Sequence, residues 1–287
     1  MQAENKQNTD KILIEMTRKN RIITLIDFSD NSETLIKFSS EFSKIIDSTV
    51  VFVHKVPGLS PALTDADIKK QEIDIEKGEA LDQLKALTKK YFFREGEFLV
   101  SEKAILTILE ELKNEHYFDW VFVGLQGKGL LKKIFIGSTA LKVIEGSELL
   151  TVAVPIQKEI FIPQKLIVAV YYKFPINIAQ FNILLSNLSE QIKEIEFVTV
   201  ITENDDEDES IKYLLDLTLM YSEYHAVMNP FKGKDAFLEI MDHMADKTDA
   251  FLVVLQGSRA LSDSQFKKFL INDLVYSNSI PLIVLSK

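Results

Sequence analysis

Residues 124–140 read GLQGKGLLKKIFIGSTA, and four of the chain's 10 glycines fall there. Their order is Gly124, two residues, Gly127, nine residues, then Gly137 followed by Ser138 and Thr139. Glycine lets backbone N–H groups approach a phosphate oxygen with no Cβ in the way. A helix beginning near Gly137 would add unpaired N–H groups and the positive end of its dipole, and the two hydroxyls would add donors. The stretch therefore has the chemistry of a phosphate cradle. Glycine that merely turns the chain between a strand and a helix accounts for it equally well at this point. Other chemistries find little support. The four histidines, at 54, 116, 225 and 243, form no close pair and no H-E-x-x-H spacing. There is no Walker lysine motif, no G-x-S-x-G elbow and no G-x-G-x-x-G fingerprint. Without cysteine, thiolate metal sites, Fe–S clusters, disulfides and thiol nucleophiles are excluded.

The elements that would position the cradle come from a soluble composition. Hydrophobic residues make up 46% and charged residues 26%, ordinary for a globular chain, and 287 residues favour two domains over one. A net charge of −10 argues against nucleic acid, which needs a basic face to displace counterions. The polar opening MQAENKQNTDKILIEMTRKN has no apolar secretory core, and no apolar run reaches the ~20 residues of a membrane span, so the cytoplasm is the expected location.

The chain repeats itself. RIITLIDFS (21–29) and KLIVAVYYK (165–173) each open a half, FDWVFVGLQG (118–127) matches TDAFLVVLQG (248–257), and LLTVAVP (149–155) matches IPLIVLS (280–286). The spacing is shorter in the second copy, which implies a loss from its middle. Strands are predicted at 21–28, 48–56, 97–101, 120–124 and 149–154, and again at 165–172, 195–202, 250–256 and 281–286. They are apolar at nearly every position, as strands covered on both faces are. Helices are predicted between them. One opens with Asp30 and Glu33 at capping-box spacing. A second, over 64–92, has an apolar stripe through Ile68, Ile75, Leu81, Leu84 and Leu87. In the second half helices are predicted near 176–193, 211–224, 236–246 and 264–276. Such alternation implies parallel pairing, so the fold class is α/β, with two tandem open parallel sheets. Proline-flanked 155–164 is the connector between domains at 20–155 and 164–287. The block ENDDEDE (203–209) reads as a solvated loop, since it lacks the glycine and terminal glutamate of an EF-hand. Trp120 begins a core strand and His54 satisfies a sheet position. The terminal runs 149–154 and 281–286 are candidate edge strands, and unpaired edges seek partners; association of two chains is left open.

The spacing G-x-x-G, nine residues, G-S/T resembles the nucleotide-binding signature of the universal stress protein family. LIDFSDNSE, VVFVHKV and LLTVAVP are similar to that family's first, second and last strands. The likeness covers about 20–155 well and 165–287 more faintly, so the whole chain resembles a tandem member. In that family such end strands pair between domains, so the resemblance implies that 149–154 and 281–286 pair within this chain, making one chain resemble a dimer. The resemblance implies that Asp27 contacts the ribose or adenine of ATP, although a role as a helix-leading residue accounts for it nearly as well. It implies that Lys55 reaches adenine through its backbone, where the family more often carries an aliphatic residue. It also implies that Gly124, Gly127, Gly137, Ser138 and Thr139 hold the phosphates. Lys128, Lys132 and Lys133 would supply charge or stand solvated. The second half departs from the pattern: Tyr171 replaces Asp27, Val254 replaces the first glycine, Gly257 alone remains, and FKKFLINDLVY has no glycine. This half is expected not to bind ATP. The resulting expectation is a stress-response protein that binds ATP, with or without Mg²⁺, in one half and catalyses at most slow hydrolysis. The alternative is an interaction scaffold that binds no nucleotide.

Overall fold

The computed structural model describes residues 18–58, 66–125, 138–156, 160, 162–247, 249–257 and 281–287. β1 (Lys19–Ile26), β2 (Ser48–Lys55), β3 (Glu97–Ser101), β4 (Tyr117–Gly124) and β5 (Leu150–Val154) alternate with α1 (Ser32–Ile45), α2 (Ala66–Thr88), α3 (Ile105–Leu112) and α4 (Ser138–Gly146). The same sequence of elements follows. β6 (Lys165–Ala169), β7 (Glu194–Ile201), β8 (Val227–Lys232), β9 (Ala250–Leu255) and β10 (Leu282–Leu285) are interleaved with α5 (Ile178–Asn187), α6 (Glu207–Met220) and α7 (Ala236–Met244).

All ten strands form one sheet in the order β3-β2-β1-β4-β5-β10-β9-β6-β7-β8. Every pairing is parallel except the central one, where β10 runs antiparallel to β5 with Leu282 opposite Ala153 and Val284 opposite Thr151. The expected union of the two terminal runs is therefore the seam of the molecule. Alternate side chains along a strand enter different layers. Ile22 and Ile26 join Phe38, Phe42, Phe122, Phe197 and Phe251 on one face of the sheet. Ile23 and Leu25 join Val121, Val143, Ile167 and Val254 on the other. Both layers run across the seam, because each holds residues of both repeats.

Several expectations need correction. The sequence reading missed β8, whose run VMNPFK is broken by Pro230 and mostly exposed, so it lacks the apolar density of its neighbours. As an edge strand it tolerates the proline. The missing material lies between β7 and β8: α2 has 23 residues and its counterpart α6 has 14. The helix expected at 211–224 begins four residues earlier, because Asp206 accepts a hydrogen bond from the Glu209 N–H, and Glu207, Asp208 and Glu209 suit the positive end of the helix. Three residues of the acidic block, Glu207, Asp208 and Glu209, are thus helix rather than loop. Nor is the rest all solvated: the Asp205 carboxylate is only 2% exposed. The stripe on α2 fails at its amino end, where Ile68 and Ile75 are exposed, while Leu84 is fully buried. The capping box on α1 is absent. Asn31 is its N-cap without a side-chain cap bond, and Glu33 instead binds Lys37 and Tyr91. The helix expected at 264–276 lies outside the described residues.

Candidate functional site

In the first repeat the chain moves outward from β1 through β2 to β3, then returns to place β4 on the other side of β1. That reversal creates a crevice at the carboxyl ends of β1 and β4, the location at which open α/β sheets bind ligands. Register fixes what stands there. Ile26 pairs with His54 and Leu25 with Val123, so Asp27 stands level with Lys55 and one residue beyond the level of Gly124 at three adjacent strand ends. α4 then starts at Ser138, with Thr139 half-buried in its first turn. Gly127 and Gly137 lie outside the described residues.

Asp27 is exposed, and its Oδ1 accepts from the Ser29 N–H at 3.0 Å and from the Ser32 hydroxyl at 3.4 Å. The carboxylate thus shapes the turn into α1. Phe28 within that turn has φ of 58°, a left-handed conformation costly for an aromatic residue, and its ring packs on His54 at 4.2 Å. His54 in turn bonds the Ile26 carbonyl through Nδ1 at 2.8 Å, so it does satisfy the sheet as expected. Lys55 is exposed, and its ammonium donates to the Val56 carbonyl.

The residue that organises the crevice was not singled out from the sequence. Asn31 is 1% exposed and its amide donates to the carbonyls of Leu125 (2.8 Å) and Val154 (2.9 Å), tying α1 to the ends of β4 and β5. Its Oδ1 is buried without a partner among the described residues. A Cβ on Gly124 would sit 2.8 Å from the Asn31 amide nitrogen, so close packing alone requires glycine there. The sequence offered a hint, since Asn177 recurs at the start of α5 and donates to the Ser286 carbonyl at the end of β10. Asn31→Ala should leave the Leu125 carbonyl without this donor and the Val154 carbonyl with the Leu125 N–H alone, destabilising the fold by about 1–3 kcal/mol; a urea midpoint within error of wild type would sink this assignment.

The second repeat fills the corresponding crevice with its own side chains. The Tyr171 hydroxyl donates to Asp205 Oδ1 at 2.8 Å, and Asp205 Oδ2 accepts from the Thr202 N–H and hydroxyl at 2.9 and 2.7 Å. Tyr171 stacks on Phe174, and Lys173 lies over the rings of Tyr171 and Tyr172. Burial, then the bond to Asp205, pushes the Tyr171 phenol above its ordinary range. Gly257 is retained for a local reason, with φ of 70° and the Lys287 side chain folded against it.

Residues 19–155 match the universal stress protein family. The match runs from the first residue of β1 to the residue after β5, so it coincides with the first repeat. Solved structures extend the likeness in fold to the whole chain. A universal stress protein from Archaeoglobus fulgidus DSM 4304 superposes with a TM-score of 0.65 at 13% identity, covering 93% of this chain and 98% of that one. A putative universal stress protein from Pseudomonas aeruginosa UCBPP-PA14 gives 0.59 at 11% identity, covering 96% and 95%. A functionally unknown protein from Pseudomonas aeruginosa PAO1 gives 0.59 at 11%, covering 94% of each. No curated protein matches the chain. Among the described residues no group of three or more His, Asp or Glu side chains could hold a metal ion, and no helix is long and apolar enough to cross a membrane.

Proposed function

We propose that the chain is a tandem member of the universal stress protein family, with units at 20–155 and 164–287, and that only the first unit binds an adenine nucleotide. The observation that carries this reading is the gathering of Lys55, Asp27 and Gly124 at three adjacent strand ends where the strand order reverses, with α4 opening beyond them. Asp27 would accept the ribose hydroxyls, the Lys55 backbone would meet the base, and Gly124, Gly127, Gly137, Ser138 and Thr139 would surround the phosphates of ATP, with or without Mg²⁺. Tyr171 and Asp205 keep the second crevice closed to such a ligand. The role that fits is nucleotide-dependent regulation in a stress response, with binding rather than turnover as the functional event. The scaffold alternative draws on one observation, the bonds that Asp27 already makes within its own turn.

ATP at 100 times its dissociation constant should add about 2.7 kcal/mol of stability, raising the melting temperature by about 5–10 °C. Asp27→Ala should weaken binding about 10-fold or more, the worth of a charged hydrogen bond, and Gly137→Asp should abolish it by setting a negative group where the phosphates rest. An unchanged melting curve at millimolar ATP, with and without Mg²⁺, would select the scaffold reading.

A further inference from the structure

The antiparallel seam sets the carboxyl ends of β9 and β10 beside the amino ends of β4 and β5. Between them lies a cavity of about 820 Å³, walled by Asn177 and Gln180 at the start of α5, by Gln256 and Lys287, and by Arg18 and Lys113 of the first repeat. It is well away from the crevice assigned to nucleotide, since it meets the opposite ends of β4 and β5. Its volume and its place between two repeats are those of a small-molecule site.

The charges on its walls are unequally satisfied. Lys113 is held by Glu110 and Glu148 at 2.9 and 2.8 Å, and Asp119 is held by Arg21. Glu145 has a partner of its own. Arg18 makes no hydrogen bond or ion pair with any described residue, and its Nε is fully buried with its donor unused. Lys287 and Glu115 also have no ion-pair partner among the described residues. The walls carry the carboxylates of Glu115, Asp119, Glu145 and Glu148 against the cations Arg18, Lys113 and Lys287, and Arg18 is the cation with a buried donor and no partner among the described residues. A buried donor left unused is rare in a folded protein and calls for an acceptor. A guanidinium is suited to a planar or tetrahedral oxyanion, which it can grip with two parallel bonds. Around it, Asn177, Gln180 and Gln256 are already committed to backbone partners, so they form a fixed polar wall rather than a collapsible one.

We propose that this cavity binds a small oxyanion, a carboxylate or a phosphate, with Arg18 as its principal contact and Lys287 as a second. The ligand would bridge the two repeats, since Arg18 precedes β1 and Lys287 follows β10. Isothermal titration of the full chain with inorganic phosphate and, separately, with succinate tests it and tells the two sources apart. At least one should bind; Arg18→Ala should weaken that binding 10-fold or more, and Arg18→Lys should restore part of it by keeping the charge without the fork. Circular dichroism of each variant checks that the fold is kept, and Lys287→Ala, on an exposed side chain, should weaken binding several-fold with little effect on folding. Gly137→Asp should leave phosphate binding intact, which separates this cavity from the nucleotide crevice. No heat from either anion at millimolar concentration, or equal binding by wild type and Arg18→Ala, would overturn the proposal; so would phosphate binding that Gly137→Asp removes.

Discussion

Asp119→Ala should destabilise the protein by about 3–5 kcal/mol, because it strands a buried guanidinium. Arg21 near the amino end of β1 bonds Asp119 on β4 through Nε at 2.6 Å and Nη2 at 2.9 Å, and Nη2 also donates to the Leu112 carbonyl at 2.6 Å. The two side chains are only 8% and 3% exposed, and the guanidinium lies over the Tyr117 ring at 4.4 Å. The same argument says that the pair itself is not a large source of stability, since desolvating two charges offsets most of their attraction. Asp119→Leu combined with Arg21→Met should therefore cost much less than Asp119→Ala alone. Urea denaturation of the three proteins reads this directly. A loss under about 1 kcal/mol for Asp119→Ala would mean that the guanidinium finds another partner. Because the pair sits at the amino ends of the strands, remote from Asp27 and Gly124, affinity for ATP in the folded variant should not change.

The pair also marks the limit of what the sequence discloses. Strands buried on both faces leave a dense apolar signal, and nine of the ten strands are legible from it. β8 is not, because an exposed edge does not need apolar density and its proline interrupts the run. The seam between β5 and β10 is implied by the family resemblance, applied to two apolar terminal runs that each have an edge to satisfy. Side-chain pairings such as Arg21 with Asp119, or Tyr171 with Asp205, join positions 98 and 34 residues apart and leave no periodic trace. The site divides in the same way. The spacing of its glycines could be read, and so could the place of Asp27 at a strand end. Asn31 could not, since an asparagine leading into a helix reads as a cap, and here the amide bridges two strand ends instead. Gly124 shows the cost of reading a motif through its ligand alone, because its missing Cβ is already required by Asn31.

One ring offers a test of whether the repeats are two units joined by a strand pair or one cooperative body. Phe251 on β9 is fully buried and lies 6.0 Å from Phe38 and 6.2 Å from Phe42, both on α1 of the other repeat, with the rings stacked. Phe42 in turn contacts Trp120, the chain's only tryptophan, at 6.5 Å. A second link runs the same way, since Asn20 in the first repeat bonds Asn187 in the second while accepting from the Trp120 indole. Phe251→Ala should cost about 3–5 kcal/mol, through lost burial and the cavity left behind. That loss should reach the first repeat although the substitution lies in the second. Trp120 fluorescence, which reports β4, and far-ultraviolet circular dichroism, which reports every element, should then fall together at one lowered melting temperature. If tryptophan fluorescence kept its original midpoint while ellipticity fell in two steps, the repeats would be independent folding units. Cooperative unfolding would instead mean that a ligand in the first repeat also stabilises the second, giving a half without its own nucleotide site a means of responding to one.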